Sequence, residues 1–168
     1  MPEAIKAYVR FVDRLNYRVG RFAMYLLFVL MAVLLWSSIS NIIRQNAIWT
    51  LETAQFVMVA YYLLGGPYSL QLDSNVRMDL LYHRWSPRTR AWVDAFSVFC
   101  LIFYLGVLLY GGIESTVYSL EYAERSASAW RPYMSPIKIV SCIGIFLMIL
   151  QSLAFFFRDV AKLRGEEI

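Results

Sequence analysis

The sequence has one histidine, His83, and two cysteines, Cys100 and Cys142. A zinc centre needs three or four ligands of those kinds, so a His/Cys metal site is excluded. No glycine-rich phosphate loop is present. A serine–histidine–acid arrangement would have to use His83, which stands beside Arg84 and Trp85 and reads as a surface residue. Asp94 and Glu114 fall near opposite ends of one apolar segment, so one side of a membrane cannot use both. Charge is also scarce: Asp, Glu, Lys and Arg make up 17% of the chain, against roughly a quarter in soluble domains. These gaps argue against an enzyme, a bound cofactor and a nucleic-acid-binding domain.

What fills the chain is apolar sequence. Hydrophobic residues are 60% of it and aromatics 17%, and mean hydropathy is +0.51. A membrane span needs about 20 apolar residues. Four windows qualify, at 22–43, 50–72, 92–113 and 137–157. The expected fold is an all-α integral membrane protein: a single membrane domain, 1–168, with four transmembrane helices and short loops. The first window is long, follows a charged segment and lacks a small-residue cleavage site, so it reads as a span and not as a signal peptide.

The net charge of +4 is distributed by side. Lys6, Arg10, Arg14, Arg18 and Arg21 precede the first window. Arg77, Arg84, Arg88 and Arg90 lie between the second and third, and Arg158, Lys162 and Arg164 follow the fourth. The alternate loops hold Arg44, Arg125, Arg131 and Lys138. Twelve against four predicts that both termini are cytoplasmic. Cys100 and Cys142 then sit at different depths of their spans, which predicts two small buried hydrophobes and no disulfide.

Residues 3–21 alternate between an apolar stripe (Ile5, Val9, Val12, Leu15, Val19) and a basic one. This predicts an amphipathic helix lying on the cytoplasmic surface against anionic lipid head groups, separate from the first span or continuous with it. Ser86-Pro87 and Ser135-Pro136 are helix-start signals, a capping serine followed by proline at the first helical position. Residues 75–85 mix charge with Val76, Leu80, Leu81 and Trp85, as a short interfacial helix does.

The second window holds the most unusual residues, Glu52 near its start and Gly65, Gly66 and Pro67 inside it. Thr53 to Leu72 already provides twenty residues, enough to span. Glu52 is therefore expected at the external interface, in the first helical turn, where the helix dipole favours an acid. Thr50 is the expected cap and Arg44 the expected ion partner. Glu52, Gln55, Val59, Tyr62, Gly66, Ser69 and Asp73 recur at spacings of three and four, a seam that is small or polar at nearly every position. Such seams mark helix–helix contacts in membranes. Val57 and Leu64 fall opposite and are expected to meet lipid. Pro67 is tolerated where neighbours satisfy the carbonyl it frees.

Four spans with both termini inside, Trp49-x-x-Glu52 opening the second, and Gly65-Gly66 two-thirds along it resemble one family. So does Asn75-Val76-Arg77-Met78-Asp79-Leu80-Leu81-Tyr82 in the next loop. It is the small membrane subunit, DctQ type, of the tripartite ATP-independent periplasmic (TRAP) transporters. Asn75 stands where such proteins often carry histidine.

The resemblance implies a bacterial inner-membrane protein without a substrate site of its own. A separate large, elevator-type membrane subunit would hold the substrate and sodium sites, and a periplasmic substrate-binding protein would deliver an organic acid. The implied partner-facing residues are Arg44, Trp49, Glu52, Gln55, Tyr62, Gly65, Gly66, Ser69, Arg77 and Asp79. A free-standing four-helix exporter would need a deep acidic residue, and a quinone-linked thiol oxidase would need external cysteine pairs; neither is present. An unrelated membrane assembly protein is the remaining alternative.

Overall fold

The computed structural model describes residues 3–45, 47–72 and 87–163. They form four helices: α1 (Glu3–Ile42), α2 (Trp49–Gln71), α3 (Pro87–Glu121) and α4 (Ser135–Leu163). Among the described residues there is no strand beyond an isolated antiparallel bridge, Arg125 with Tyr133, in the α3–α4 loop. α3 begins at Pro87 and α4 at Ser135, as the Ser-Pro signals predict.

The helices run up and down. α2 and α4 are parallel neighbours at the centre, with α1 packed on α2 and touching α4, and α3 packed on α4. Of the apolar stretch of α4, 33% is buried inside the chain, against 6% in α1 and 6% in α3. α1 and α3 therefore present most of their apolar surface outward. One end of the bundle carries the α1–α2 turn and the α3–α4 loop and is termed here the loop end. The other, where α1 begins and α4 ends, is the terminal end.

Three helices, α1, α3 and α4, are long and apolar enough to cross a membrane. α2 is not among them, although its 23 residues extend about 34 Å, more than the roughly 30 Å of hydrocarbon. Its Glu, Gln, Thr, Gly and Pro content lowers its hydropathy. Hydropathy thus supports three spans where the sequence reading expects four.

The segment 3–21 is not a separate interfacial helix. It is the first half of the 40-residue α1, about 60 Å long, and its inward face meets protein. Val9 and Val12 are buried with Ala154 of α4, flanked by Ile5, Tyr8, Leu150 and Phe157. The Tyr8 hydroxyl donates to the Leu150 carbonyl at 3.2 Å. The buried stripe runs Val9, Val12, Asn16, Gly20, Ala23, and not through Leu15 and Val19. With 3.6 residues per turn the stripe drifts around the helix, and a neighbouring helix accepts a polar or small residue on it where lipid would not. Arg10, Arg14, Arg18 and Arg21 remain exposed on the outer side.

Candidate functional site

Pro67 has no N–H, so the Leu63 carbonyl one turn earlier lacks its helical donor. α4 packs tightly on α2 at this point. A Cβ on Gly144 would stand 2.8 Å from the Leu63 oxygen and 2.8 Å from its Cβ, so only glycine lets the two backbones meet. On the opposite side of α2 a Cβ on Gly20 would lie 2.3 Å from the Tyr68 Cβ. The Tyr17 and Tyr68 rings pack edge-on beside it, 5.8 Å apart. Two glycines on the neighbouring helices therefore clamp α2 around its proline turn. A Cβ on Gly66, by contrast, would meet the flexible side chain of Met148, and one on Gly65 would have no neighbouring element within 4 Å.

At the loop end Glu52 is 6% exposed. Its Oε1 accepts a hydrogen bond from the Ser126 hydroxyl at 3.0 Å, and its Oε2 is buried without a partner. Arg44 is exposed, in a left-handed turn conformation (φ 59°), and does not pair with it. Thr50 is not the cap either: its hydroxyl donates to the Ala47 carbonyl (2.8 Å) and lies within hydrogen-bond distance of the Ser37 hydroxyl of α1 (3.1 Å). The sequence reading assigned Glu52 a charge partner from the nearest turn. The structure gives it a hydroxyl from the α3–α4 loop, 74 residues away, a separation that local spacing does not reveal. Beside this point lies an open hollow of about 450 Å³ lined by Trp36, Trp49 and Trp130 with Ser40, Gln45, Ala47 and Ile48.

The α3–α4 loop that brings in Ser126 is itself pinned. Lys138 pairs with Glu124 and donates to the Ser115 carbonyl at 3.3 Å. Its hydrogen bond holds the Glu124 carboxyl below the usual carboxylate range, aided by its charge and by Ser119. The Arg125 guanidinium stacks on the Tyr133 ring, 4.3 Å from its centroid.

At the terminal end Asn16, Gln151, Asp13 and Arg158 form a polar chain between α1 and α4. Asn16 Nδ2 donates to Gln151 Oε1, Gln151 Nε2 donates to Asp13 Oδ1 at 3.1 Å, and Arg158 pairs with Asp13 Oδ2. Gln151 is completely buried and Asn16 nearly so. Sequence reasoning missed this chain. Its signal was a glutamine inside the last apolar window and an asparagine on the apolar stripe of α1.

The predicted seam of α2 divides. Glu52 turns to the α3–α4 loop and Gly66 to α4, while Gln55, Val59 and Tyr62 point outward. Ser69 is half-buried. Val57 and Leu64, expected to meet lipid, are half-buried on the side of α2 that carries Tyr68 against α1. Asp73, Arg77, Asp79 and the 75–85 segment lie outside the described residues. Cys100 is exposed and not buried, and Cys142 sits beside Thr116 at 3.4 Å; both are free. Among the described residues no three His, Cys, Asp or Glu side chains come together as metal ligands. What this arrangement does is fix helices against one another and leave large surfaces free.

The family described as "Tripartite ATP-independent periplasmic transporters, DctQ component" matches residues 30–162. That range runs from the last third of α1 almost to the end of α4 and includes the Gly144 contact on α2 but not the Gly20 one. No curated protein and no solved structure matches the chain.

Proposed function

The chain belongs to the DctQ component family of the tripartite ATP-independent periplasmic transporters, and from that membership we propose that it is the non-catalytic small membrane subunit of a sodium-coupled, binding-protein-dependent carrier for organic acids. Its role is to pack on the scaffold of the large membrane subunit and stabilise it. The family match carries this reading. The outward apolar faces of α1 and α3, too large for a self-contained bundle in water, are consistent with a chain that lives among lipid and protein. In this reading all four helices cross a bacterial inner membrane, α2 held between α1 and α4, and the loop end is external.

Reconstituted alone, the protein is expected to give no sodium-driven solute uptake; together with its large subunit and the cognate binding protein it should give uptake. A tagged chain extracted in mild detergent should retain a polytopic partner, identified by mass spectrometry. Uptake by the isolated chain at a comparable rate would overturn the proposal.

The orientation has its own test. In a background lacking Cys100 and Cys142, cysteines placed near residues 3, 75 and 165 should be protected from an impermeant thiol reagent in intact cells. Those near residues 47 and 127 should be labelled. The reverse pattern would place the loop end, with Glu52 and the tryptophan hollow, inside the cell.

A further inference from the structure

The hollow at the loop end is rich in donors and has no acid in its lining. Its walls include the indoles of Trp36, Trp49 and Trp130, and its volume of about 450 Å³ is within the range of small-molecule sites. Among the described residues none accepts a hydrogen bond from the three indole N–H groups. Ser40, 6% exposed, also lines the hollow, and its hydroxyl likewise has no partner among the described residues. A donor this buried is costly to leave unpaired. Gln45 adds an amide. The arrangement calls for a ligand that brings oxygen acceptors. Glu52, the acid of α2, is buried, turned to Ser126 and absent from the lining.

The charge around the hollow has the matching sign. Of the basic residues at the loop end, Arg125 is occupied by Tyr133 and Lys138 by Glu124. Arg44 and Arg131 adjoin Gln45 and Trp130 of the lining and are exposed. Neither has an acidic or hydrogen-bonding partner for its guanidinium among the described residues. Both stand at left-handed backbone angles, φ 59° and φ 50°. Arg44 closes α1 in a Schellman cap: its N–H donates to the Asn41 carbonyl at 3.2 Å, and that of Gln45 to the Ser40 carbonyl at 3.0 Å. Glycine or asparagine suits that position better, so the turn itself has no need of a guanidinium. Toward the middle of the bundle the surface becomes apolar. Val29, two turns below Trp36 on α1, and Leu51, one turn below Ile48 on α2, are exposed.

We propose that this hollow binds the head group of a glycerophospholipid. The phosphodiester meets Arg44 and Arg131, where a charge-assisted pair is strongest. The ester carbonyls accept from the indole N–H groups and from Ser40. The acyl chains leave by the open side and run down the apolar side chains below. A free inorganic anion would satisfy the arginines and leave the apolar walls bare; a neutral diacylglycerol would do the reverse. The site does not depend on the transporter role. Its assignment to the external leaflet rests on the orientation proposed above, which thiol labelling decides separately.

The test uses the full chain purified in detergent. Trp85→Phe and Trp92→Phe leave the three indoles of the hollow as the only tryptophan emitters. Phosphatidylglycerol brominated near the ester end of its acyl chains should quench them to saturation. Arg44→Asn combined with Arg131→Gly, residues suited to left-handed angles, should raise the lipid concentration for half quenching roughly tenfold. The melting temperature without lipid should stay the same or rise, because these residues relieve the backbone. Arg10→Gln with Arg14→Gln, at the terminal end, should change neither quantity. Four outcomes would each overturn the proposal. Quenching of the Arg44/Arg131 variant like the parent would show that the arginines hold no head group. Equal quenching by a brominated diacylglycerol would mean insertion of apolar chains only. Displacement of the lipid by inorganic phosphate would assign the site to a free anion. Loss of quenching in chain copurified with a large subunit would give the hollow to that subunit.

Discussion

Gly144→Ala is expected to destabilise the protein more than any other single methyl addition to a glycine of α2, α3 or α4. The new Cβ would fall 2.8 Å from the carbonyl oxygen and 2.9 Å from the carbonyl carbon of Leu63. Those atoms are backbone, so no rotamer change relieves the overlap and α4 must move off α2. Overpacking of this kind costs about 1–3 kcal/mol. It also separates α2 from the neighbour that fills the space beside its proline turn. Gly20→Ala should behave alike at the other side of the clamp, and Tyr68→Ala should not rescue it, because the overlap is with the Tyr68 Cβ, which alanine keeps. Gly66→Ala meets only the end of Met148 at 3.3 Å, and Gly106 and Gly111 meet nothing. Alanine at these last two should be neutral or stabilising by up to about 1 kcal/mol, since glycine is a poor residue for a helix interior. The measurement is the melting temperature of each purified variant in one detergent, followed by tryptophan fluorescence. A Gly144→Ala protein that melts with the Gly106→Ala protein would show that α2 and α4 do not meet at Leu63.

That ranking is not legible in the sequence, and the reason is physical. Outside water, apolar character does not separate inside from outside, because lipid tails are as apolar as a packed core. Composition therefore identified a helical membrane chain and its apolar windows, and proline and serine marked where α3 and α4 begin. It did not say which face of α2 touches what. Gly66 stood out because it adjoins Gly65 and Pro67, yet the tight contacts belong to Gly20 and Gly144, whose significance depends on the partner helix across from them. Glu52 was legible as a residue of the loop end. Its partner, Ser126, was not, because the α3–α4 loop folds back over α2. For the same reason the cover of the α1 segment was not legible, although its helix and its continuity with the first span were. An amphipathic stripe says that something apolar covers it, and α4 serves as well as a lipid surface.

The polar chain at the terminal end decides between those two covers for α1. Gln151→Leu would remove the acceptor of the Asn16 amide and one donor to Asp13. Asn16 is buried, and its Oδ1 already lacks a partner, so the loss strands the whole side chain. Stranding a buried polar group costs about 1–3 kcal/mol. Asn16→Leu alone should cost less, because Gln151 keeps its bond to Asp13 at 3.1 Å. The double variant should be less destabilised than the sum of the two, since removing both partners of a hydrogen bond leaves less unpaired than removing one. The effect should be local. The half of α1 that carries Arg10, Arg14 and Arg18 is joined to α4 through Val9, Val12, Asn16 and Asp13. Weakening that joint should let the segment open and be cut by trypsin at those exposed arginines. The measurement is the rate of tryptic loss of the first 10 to 18 residues from the detergent-solubilised protein, against a reporter cut elsewhere in the chain. If the segment instead lay flat on lipid, away from α4, Gln151→Leu would leave that rate unchanged.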